Sequence, residues 1–199
     1  MTRLGLFGGS FNPVHNGHLH LAAAAREALS LDQVIFVPAH CSPFKTGHPD
    51  MAPDADRLRM CELATEDLDW CTVDDCELQR EGVSYSVDTV HLFHDRNPEA
   101  ALYWLMGSDM FLSFTKWYHW QEILQYAGLC VLAREEDDVE KLQVQRETLA
   151  PYGQIFFCNA PVFPISSTKI RENLRNGVDC SCYLPKKVVQ YNEVRRLYT

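Results

Sequence analysis

The sequence lacks any long hydrophobic run, since nowhere in its 199 residues do about 18 uncharged apolar residues follow one another. We therefore predict no membrane-spanning helix. The first residues are apolar only briefly before the chain turns to glycine at Gly8, whereas a secretory signal peptide needs a longer apolar core and a small-residue cleavage site. Repeats and low-complexity stretches are also missing. These absences argue against a membrane protein, a secreted protein and a repeat architecture.

Positive charge is scarce as well. The 18 Lys and Arg residues are outnumbered by 27 Asp and Glu, which gives a formal net charge of −9. Nucleic acids and anionic membranes require a cationic surface, so the composition argues against either as a general partner. A local cluster of hydrogen-bond donors remains compatible with binding a small anion.

The eight cysteines include no Cys-x-x-Cys pair, and several lie inside apolar runs such as the one around Cys130. This usage predicts reduced thiols in a cytosolic protein, with several of them filling the core. Cys180 and Cys182 are close enough in sequence to suggest a metal or redox site. Two thiols do not complete a four-ligand metal site, however, and their role stays open.

Short runs typical of strands alternate with amphipathic runs typical of helices along the chain. This alternation predicts an α/β fold: one Rossmann-like domain over residues 1–199, a parallel sheet with helices on both faces. The predicted strands are residues 3–7, 33–37, 70–78, 101–106, 128–133 and 154–158. The predicted helices are residues 17–29, 54–65, 86–94, 121–126, 137–149, 168–176 and 185–191. Residues 39–53 hold three prolines and a glycine and predict a long loop of the kind that is usually functional or mobile.

The first predicted strand runs directly into a glycine-rich turn, Gly8-Gly9-Ser10-Phe11-Asn12-Pro13-Val14-His15-Asn16-Gly17-His18. Open α/β sheets bind phosphates at such a turn, because glycine lets the main chain approach closely and the following helix start presents unpaired N–H groups. The spacing of His15 and His18 lets both rings lie on one side of the helix and donate to one phosphate. A lone His-x-x-His pair is more often a surface or structural feature. A metal-binding pair is the second alternative, although no Cys, Asp or Glu nearby completes a metal site.

A second candidate anion site lies late in the chain. Ser166, Ser167 and Thr168 precede a predicted helix, where hydroxyl groups cap free main-chain amides. Simple capping explains two of these hydroxyls. Arg171, one turn further on, adds a planar donor suited to phosphate. The two anion sites would face each other if the sheet brings them together.

Two further segments carry candidate ligand contacts. Asp109 follows a predicted buried strand and Gly107, where an acid can accept a hydrogen bond from a ribose hydroxyl; a helix N-cap is the alternative. Trp117 and Tyr118 stand in a polar, loop-like stretch, where an aromatic side chain can stack on a flat ring. Trp104, in contrast, is typical of core.

These segments together resemble the nucleotidyltransferase superfamily and, within it, the bacterial nicotinate-nucleotide adenylyltransferases. His15 to His18 match the (H/T)-x-G-H signature. The other matching segments are Pro43-Phe44-Lys45, Ser84-Tyr85-Ser86-Val87-Asp88-Thr89, Gly107-Ser108-Asp109 followed by Trp117, Arg134 at a strand end, and Ile165-Ser166-Ser167-Thr168-Lys169-Ile170-Arg171. The motifs occur in the family's order and run nearly from end to end.

The resemblance implies adenylyl transfer from ATP to nicotinic acid mononucleotide, giving deamido-NAD and pyrophosphate, with Mg²⁺ bridging the ATP oxygens and no metal ligand from the protein. It implies catalytic roles for His15, His18, Lys45 and Arg171. The implied ATP contacts are Gly8, Gly9, Ser10, His15, His18, Gly107, Asp109, Arg134, Ile165, Ser166, Ser167, Thr168 and Arg171. The implied acceptor contacts are Phe11, Asn12, Lys45, Ser86, Val87, Trp117 and Tyr118. Partners would be these small molecules, without nucleic acid or membrane; a homo-oligomer is left open.

The sequence also departs from the family pattern. Phe44 stands where the family often has His, which removes one phosphate donor, and Ser86 replaces the usual Thr. Asn12 stands where Asp is common, so a charge there is not required by the chemistry.

Alternative functions remain on the same fold: a nicotinamide mononucleotide or phosphopantetheine acceptor, a cytidylyl transfer, or a module that senses a nucleotide without turnover. The segment from Ser84 to Thr89, together with Trp117, favours a pyridine acceptor. The implied set of His15, His18, Lys45 and Arg171 favours turnover, because a sensor needs no such charges around the α-phosphate.

Overall fold

A computed structural model of the chain describes residues 1–43, 50–133, 139–159 and 164–199. The described residues form six strands, eight α-helices and one short 3-10 helix. In chain order the elements are β1 Arg3–Gly9, α1 Asn16–Leu29, β2 Gln33–Pro38, α2 Asp54–Thr65, β3 Cys71–Val73, α3 Ser86–Arg96, β4 Ala101–Gly107, α4 Ser108–Leu112, the 3-10 helix Phe114–Lys116, α5 Trp120–Tyr126, β5 Ala127–Ala133, α6 Val139–Leu149, β6 Ile155–Asn159, α7 Ser167–Arg175 and α8 Lys186–Arg195.

The strands form one six-stranded sheet in the order β3-β2-β1-β4-β5-β6. The pairs β1–β4, β4–β5 and β5–β6 are parallel, with Arg3 opposite Ala101 and Leu102 opposite Ala127. The strands β4 and β5 are continuous apolar runs because both faces of a parallel sheet are covered. This is the doubly wound order of a Rossmann-like fold, whose ligands bind outside the carboxyl ends of the strands where the order reverses. The predicted fold class is confirmed.

The chain divides into two compact units. The first comprises Met1–Gly8, Leu21–Ile35 and Tyr85–Val162, and the second comprises Gly9–His20, Phe36–Ser84 and Phe163–Thr199. The prediction of one domain over residues 1–199 stays a prediction.

The predicted third strand is much shorter than expected, because only Cys71–Val73 is extended. The chain turns at Asp74, whose side-chain oxygen accepts a hydrogen bond from the amide of Cys76 at 2.9 Å. The amide of Leu78 then donates to the carbonyl of Asp75 at 2.8 Å, which winds the segment into turns. Short aspartate side chains compete for main-chain amides in this way, and they outweighed the strand-like residues around them.

The helix α4 and the 3-10 helix after it were not predicted, because five-residue and three-residue helices are too short to show an amphipathic period. Across the part of the chain that the structure describes, no helix is long and apolar enough to cross a membrane.

Candidate functional site

The glycine-rich turn begins where β1 ends, and its first glycine is required by packing. A Cβ atom on Gly8 would lie 2.7 Å from the ring of Trp104, a buried core residue on the neighbouring strand β4. A Cβ on Gly9 would lie 3.1 Å from the ring of Phe11. The two glycines therefore let large aromatic rings pack directly against the main chain, a reason that adds to the close approach predicted for phosphates.

Phe11, which the sequence placed at the acceptor, is a core residue of the second unit. Its side chain is 2% exposed, with its ring edge-on to His18 at 5.1 Å and tilted on Phe36 at 5.4 Å. Its main chain is left-handed, with φ at 44°, an uncommon conformation for a bulky residue. The ring packs against His18, and a contact of Phe11 with the acceptor stays a prediction.

The rings of His15 and His18 lie together, as the spacing predicted, with centroids 3.8 Å apart and planes at 33°. The main-chain N–H of His15 donates to Nδ1 of His18 at 3.1 Å. Since Nδ1 of His18 accepts a hydrogen bond, the proton of the neutral ring is on Nε2. His18 is thus held in the tautomer that presents an Nε2–H donor.

His15 is electrostatically different from its partner. Its side chain is buried, and burial lowers its pKa from 6.5 to about 4. Its Nδ1 has no hydrogen-bond partner among the described residues. At neutral pH His15 is therefore an uncharged ring with one unused nitrogen, and an anion placed against it would stabilise its protonated form.

Two main-chain amides at the start of α1 are paired within the protein. The N–H of Asn16 donates to the carbonyl of Tyr183 at 2.8 Å, and the N–H of His15 is used by His18. A segment near the end of the sequence thus satisfies an amide that the local sequence left open. These two amides, which precede the predicted helix start at Gly17, are therefore used within the protein.

The second candidate anion site, residues 166–171, is hydrogen-bonded directly to the glycine-rich turn. Ser167 donates to the carbonyl of Pro13 at 2.9 Å, and Nη1 of Arg171 donates to the carbonyl of Asn12 at 2.8 Å. Ser166 is the N-cap of α7 and accepts from the amide of Lys169 at 3.2 Å, which is the simple capping role. The two predicted anion sites are therefore one cluster within the second unit.

Arg171 has a structural task that the sequence did not predict. The residue is buried, and its Nη2 contacts the hydroxyl of Thr168 at 3.4 Å while Nη1 holds the main chain of the turn. Its Nε is buried without a hydrogen-bond partner among the described residues. A single guanidinium thus joins the two segments and keeps one donor unused.

Asn12, predicted to contact the acceptor, is engaged by the protein instead. Its Nδ2 donates to the carbonyl of Asp50 at 2.9 Å. Its Oδ1 accepts from the amide of Ala52 at 3.0 Å and from the hydroxyl of Tyr198 at 2.7 Å. With both side-chain atoms occupied and the residue buried, Asn12 shapes the turn, and its contact with the acceptor stays a prediction.

Gly107 and Asp109 stand where β4 ends, in the first unit. Gly107 is the N-cap of α4, and Asp109 lies in the first turn, so Asp109 is not the cap. A Cβ on Gly107 would lie 2.9 Å from Oδ1 of Asp109, which shows that the carboxylate folds back over the glycine. Asp109 is exposed and makes no hydrogen bond through its carboxylate among the described residues, so it suits a ribose diol.

The predicted acceptor residues of the first unit also come together. Tyr118 stacks on Tyr85 with centroids 4.5 Å apart, and Tyr85 is the N-cap of α3, next to Ser86 and Val87. The amide of Val87 lies in the first turn of α3, where the helix offers no carbonyl partner. Tyr118 is 54% exposed.

The side chain of Trp117 is fixed by two aromatic neighbours. It packs edge-on against Trp104, with ring centroids 6.3 Å apart, and it is tilted on Phe114, with centroids 5.3 Å apart. The neighbouring main chain is left-handed at His119. A half-buried indole anchored on its edge by core aromatics is suited to stacking on a flat ring.

Arg57 is a site residue that sequence reasoning missed. Its side chain is fully buried, and Nη1 donates to the carbonyl of Ser10 at 2.7 Å while Nε donates to Ala52 at 3.2 Å. Nη2 of Arg57 also pairs with the carboxylate of Asp54, and the same carboxylate contacts Nδ1 of His40. The signal was present: Arg57 shares the buried face of α2 with Met60, Cys61 and Ala64.

Other predicted contacts are only partly placed. Ile165 is half-buried just before α7. Phe44, Lys45 and Arg134 lie outside the described residues. Among the described residues no group of three His, Cys, Asp or Glu side chains could hold a metal ion.

Known proteins resemble this chain over its whole length. The family described as cytidylyltransferase-like matches residues 6–173. A protein of Neisseria meningitidis serogroup C named "Probable nicotinate-nucleotide adenylyltransferase" is 40% identical over 207 residues, covering 100% of this chain and 99% of the relative. A protein of Streptococcus pyogenes serotype M3 with the same name is 33% identical, covering 98% of this chain and 88% of the relative.

A solved structure shows the same fold at lower identity. The Plasmodium falciparum nicotinic acid mononucleotide adenylyltransferase complexed with NaAD superposes with a TM-score of 0.78 at 16% identity, covering 100% of this chain and 98% of that chain. The family match and the full-length relatives together mean that this chain belongs to the cytidylyltransferase-like family, among its nicotinate-nucleotide adenylyltransferases.

Proposed function

We propose that this protein transfers the adenylyl group of ATP to nicotinic acid mononucleotide, releasing pyrophosphate and forming deamido-NAD. The observation that carries the proposal is the hydrogen-bonded junction of the glycine-rich turn with the start of α7, through Ser167 to Pro13 and Arg171 to Asn12. This junction gathers the histidine pair and the hydroxyl-rich helix start into one cluster of phosphate donors. The relatives at 33–40% identity carry the same activity in their names.

The reaction requires the two substrates to be aligned, and it does not require a proton to be removed from the nucleophile. The nucleophile is a phosphate oxygen of the acceptor, which is already ionised near neutral pH. No general base is needed, so the protein must hold two phosphate groups in line and neutralise the charge that develops on the α-phosphate.

The histidine pair supplies the donors at the α-phosphate in this proposal. His18 donates through Nε2–H, because its Nδ1 is occupied by the amide of His15. His15 begins as a neutral ring and gains a proton more readily once the phosphates lie against it, because an adjacent negative charge raises a pKa that burial had lowered to about 4.

The start of α7 receives the outer phosphates of ATP. Ser166 and Thr168 are exposed at the first turn, where the helix dipole and hydroxyl groups favour an anion. The positive charge of the buried Arg171 guanidinium adds to the attraction for these phosphates. Lys45 and Arg134 are proposed to neutralise further phosphate oxygens, on the resemblance alone.

Adenylyl transfer of this kind uses a divalent cation with ATP, and we propose Mg²⁺, the hard cation that phosphate oxygens bind. The donors of the described cluster are imidazole, hydroxyl and guanidinium groups, which suit the phosphates rather than a magnesium ion. The ion would therefore arrive with its substrate, on the oxygens of ATP.

The first unit is proposed to receive the nucleoside parts. Asp109 accepts from the ribose of ATP, since its carboxylate is exposed at the end of β4. Trp117 stacks on the pyridine ring of the acceptor. The amides at Val87 and Tyr118 donate to the nicotinate carboxylate.

The proposed function is tested by measuring pyrophosphate release and dinucleotide formation from Mg²⁺-ATP with each acceptor separately. We expect turnover with nicotinic acid mononucleotide and little with nicotinamide mononucleotide, phosphopantetheine or CTP in place of ATP. ATP binding without turnover in every combination would instead identify a nucleotide-sensing module.

We also propose a cytoplasmic location. All eight cysteines are free thiols, and six of them are buried in the fold. Reduced cysteines at this density are typical of a reducing compartment.

A further inference from the structure

The hydroxyl group of Tyr198 reaches the glycine-rich turn from the opposite end of the sequence. It donates to Oδ1 of Asn12 at 2.7 Å, next to the bond from the amide of Ala52. Burial raises the pKa of Tyr198, so the phenol is a neutral donor throughout the physiological range. The contact joins residues 186 positions apart.

The main chain around Tyr198 is held in a conformation that its residues do not favour by themselves. Arg196 and Tyr198 both have left-handed backbones, with φ at 53° and 65°. Such conformations persist in residues other than glycine only where the surroundings fix them. The hydroxyl contact to Asn12 is one interaction that fixes this segment.

A second pair of contacts anchors the same segment on α2. The hydroxyl of Tyr191 and Nε of Arg195, both on α8, bind Oδ1 of Asp56 at 2.7 and 2.9 Å. Asp56 is 2% exposed and precedes Arg57, which holds the carbonyl of Ser10. Tyr191 and Arg195 therefore tie α8 to α2, whereas Tyr198 hydrogen-bonds to a residue of the Ser10–Asn12 stretch itself.

We infer that Tyr198 is a positioning residue for the phosphate-binding turn, acting through Asn12. It lies beyond residues 6–173, the part of the chain that the family match covers. Asn12 links Tyr198 to the start of α7, because Arg171 donates to the carbonyl of Asn12 and Ser167 donates to the next carbonyl, that of Pro13. Fixing the side chain of Asn12 therefore also fixes the main chain that these two residues bind. The inference deepens the proposed function, since the turn so held is the one proposed to bind the ATP phosphates.

The test removes only the hydroxyl, in Tyr198→Phe, and uses Tyr191→Phe as the matched control from the same segment. Loss of one hydrogen bond to the turn should lower kcat about three- to tenfold, with the KM for ATP raised by a similar factor or less. Tyr191→Phe loses an equally placed hydroxyl but leaves Arg195 on Asp56, so its kcat should match the wild type even if it melts at a lower temperature.

A double-mutant cycle with Asn12→Ala separates positioning from a general loss of stability. If Tyr198 acts through Asn12, adding Tyr198→Phe to Asn12→Ala should change kcat less than twofold. Fully additive effects on kcat, or a Tyr198→Phe enzyme with wild-type kcat and KM, would overturn the inference.

Hydrogen exchange of the peptide that covers residues 10–18 gives a readout that does not need activity. Exchange there should accelerate in Tyr198→Phe and stay at the wild-type rate in Tyr191→Phe. If the wild-type protein shows no turnover, the proposed function is wrong. The comparison of exchange rates in the two variants still tests whether Tyr198 positions the turn. Equal exchange in both variants would defeat the positioning role alone.

Discussion

The two histidines of the glycine-rich turn show how burial divides identical side chains into different roles. His15 is buried, and its pKa falls to about 4, because no described group compensates for the loss of water around the charged ring. His18 is half-buried and fixed by a main-chain donor. The sequence shows two equivalent rings, whereas the fold makes one a neutral group under the surface and the other an oriented donor.

The depressed pKa of His15 predicts a specific acid sensitivity. The unfolded chain binds a proton at His15 near pH 6.5 and the folded chain only near pH 4, so stability falls as the pH drops through this window. From pH 7.5 to pH 5 this one group should cost about 2 kcal/mol of the free energy of unfolding. Urea unfolding at both values, compared between wild type and His15→Gln, isolates the effect. Parallel pH profiles for the two proteins would contradict the prediction.

His18→Ala should fold and lose most turnover. If Nε2–H of His18 stabilises the transition state, kcat should fall on the order of 10²–10³-fold while ATP binding weakens far less. Calorimetric titration with ATP and a melting curve serve as controls for binding and folding. A variant that keeps more than about half of the wild-type kcat would remove His18 from the mechanism.

Among the elements, the paired strands β1 and β4 decide the geometry of the turn. The indole of Trp104 fills the space where a side chain at position 8 would stand, so the turn can leave β1 only through a glycine. At the other end of the segment, α7 holds the turn by two hydrogen bonds to consecutive carbonyls. The glycine-rich turn is thus constrained at Gly8 by the neighbouring strand and at Asn12 and Pro13 by α7.

Gly8→Ala should destabilise the protein through this contact. The added Cβ would lie 2.7 Å from a rigid indole ring, and such overpacking costs about 1–3 kcal/mol. Trp104→Phe in the same chain replaces the indole by a smaller ring and should restore part of the lost free energy of unfolding. Chemical denaturation of the two single variants and the double variant measures the coupling. Independent, additive losses for Gly8 and Trp104 would contradict the mechanism.

For the molecule as a whole, function requires two nucleotides to be recognised by different chemistry. The described donors of the second unit are suited to phosphates, whereas the exposed acid and aromatic groups of the first unit are suited to ribose and rings.

Acceptor choice is the prediction at this scale. Main-chain N–H groups suit the nicotinate carboxylate, while the amide NH₂ of nicotinamide would meet them with a second donor. We expect nicotinic acid mononucleotide to be preferred by at least ~10²-fold in kcat/KM. Trp117→Ala should weaken both acceptors and keep their ratio, because stacking depends on the ring and not on its substituent. Equal use of the two acceptors by the wild type would place the chain in another branch of the family.

The sequence by itself determined the alternation of strands and helices, the fold class, the order of the motifs and the pairing of the histidine rings. These depend on local spacing and composition, which a single chain displays directly. The shortness of β3 was not predicted, because the side chain of Asp74 binds a main-chain amide and ends the strand. The helices around residues 108–116 were not predicted, because so few residues show no amphipathic period.

Only the tertiary structure decided what holds the site. The engagement of Asn12 by Tyr198, the buried guanidinium of Arg57 on Ser10 and the capture of the Asn16 amide by Tyr183 all join residues far apart in sequence. Local sequence specifies which donors and acceptors exist, but not which distant partner satisfies them. That choice follows from the requirement that buried polar groups be paired, which can be met only once the whole chain has packed.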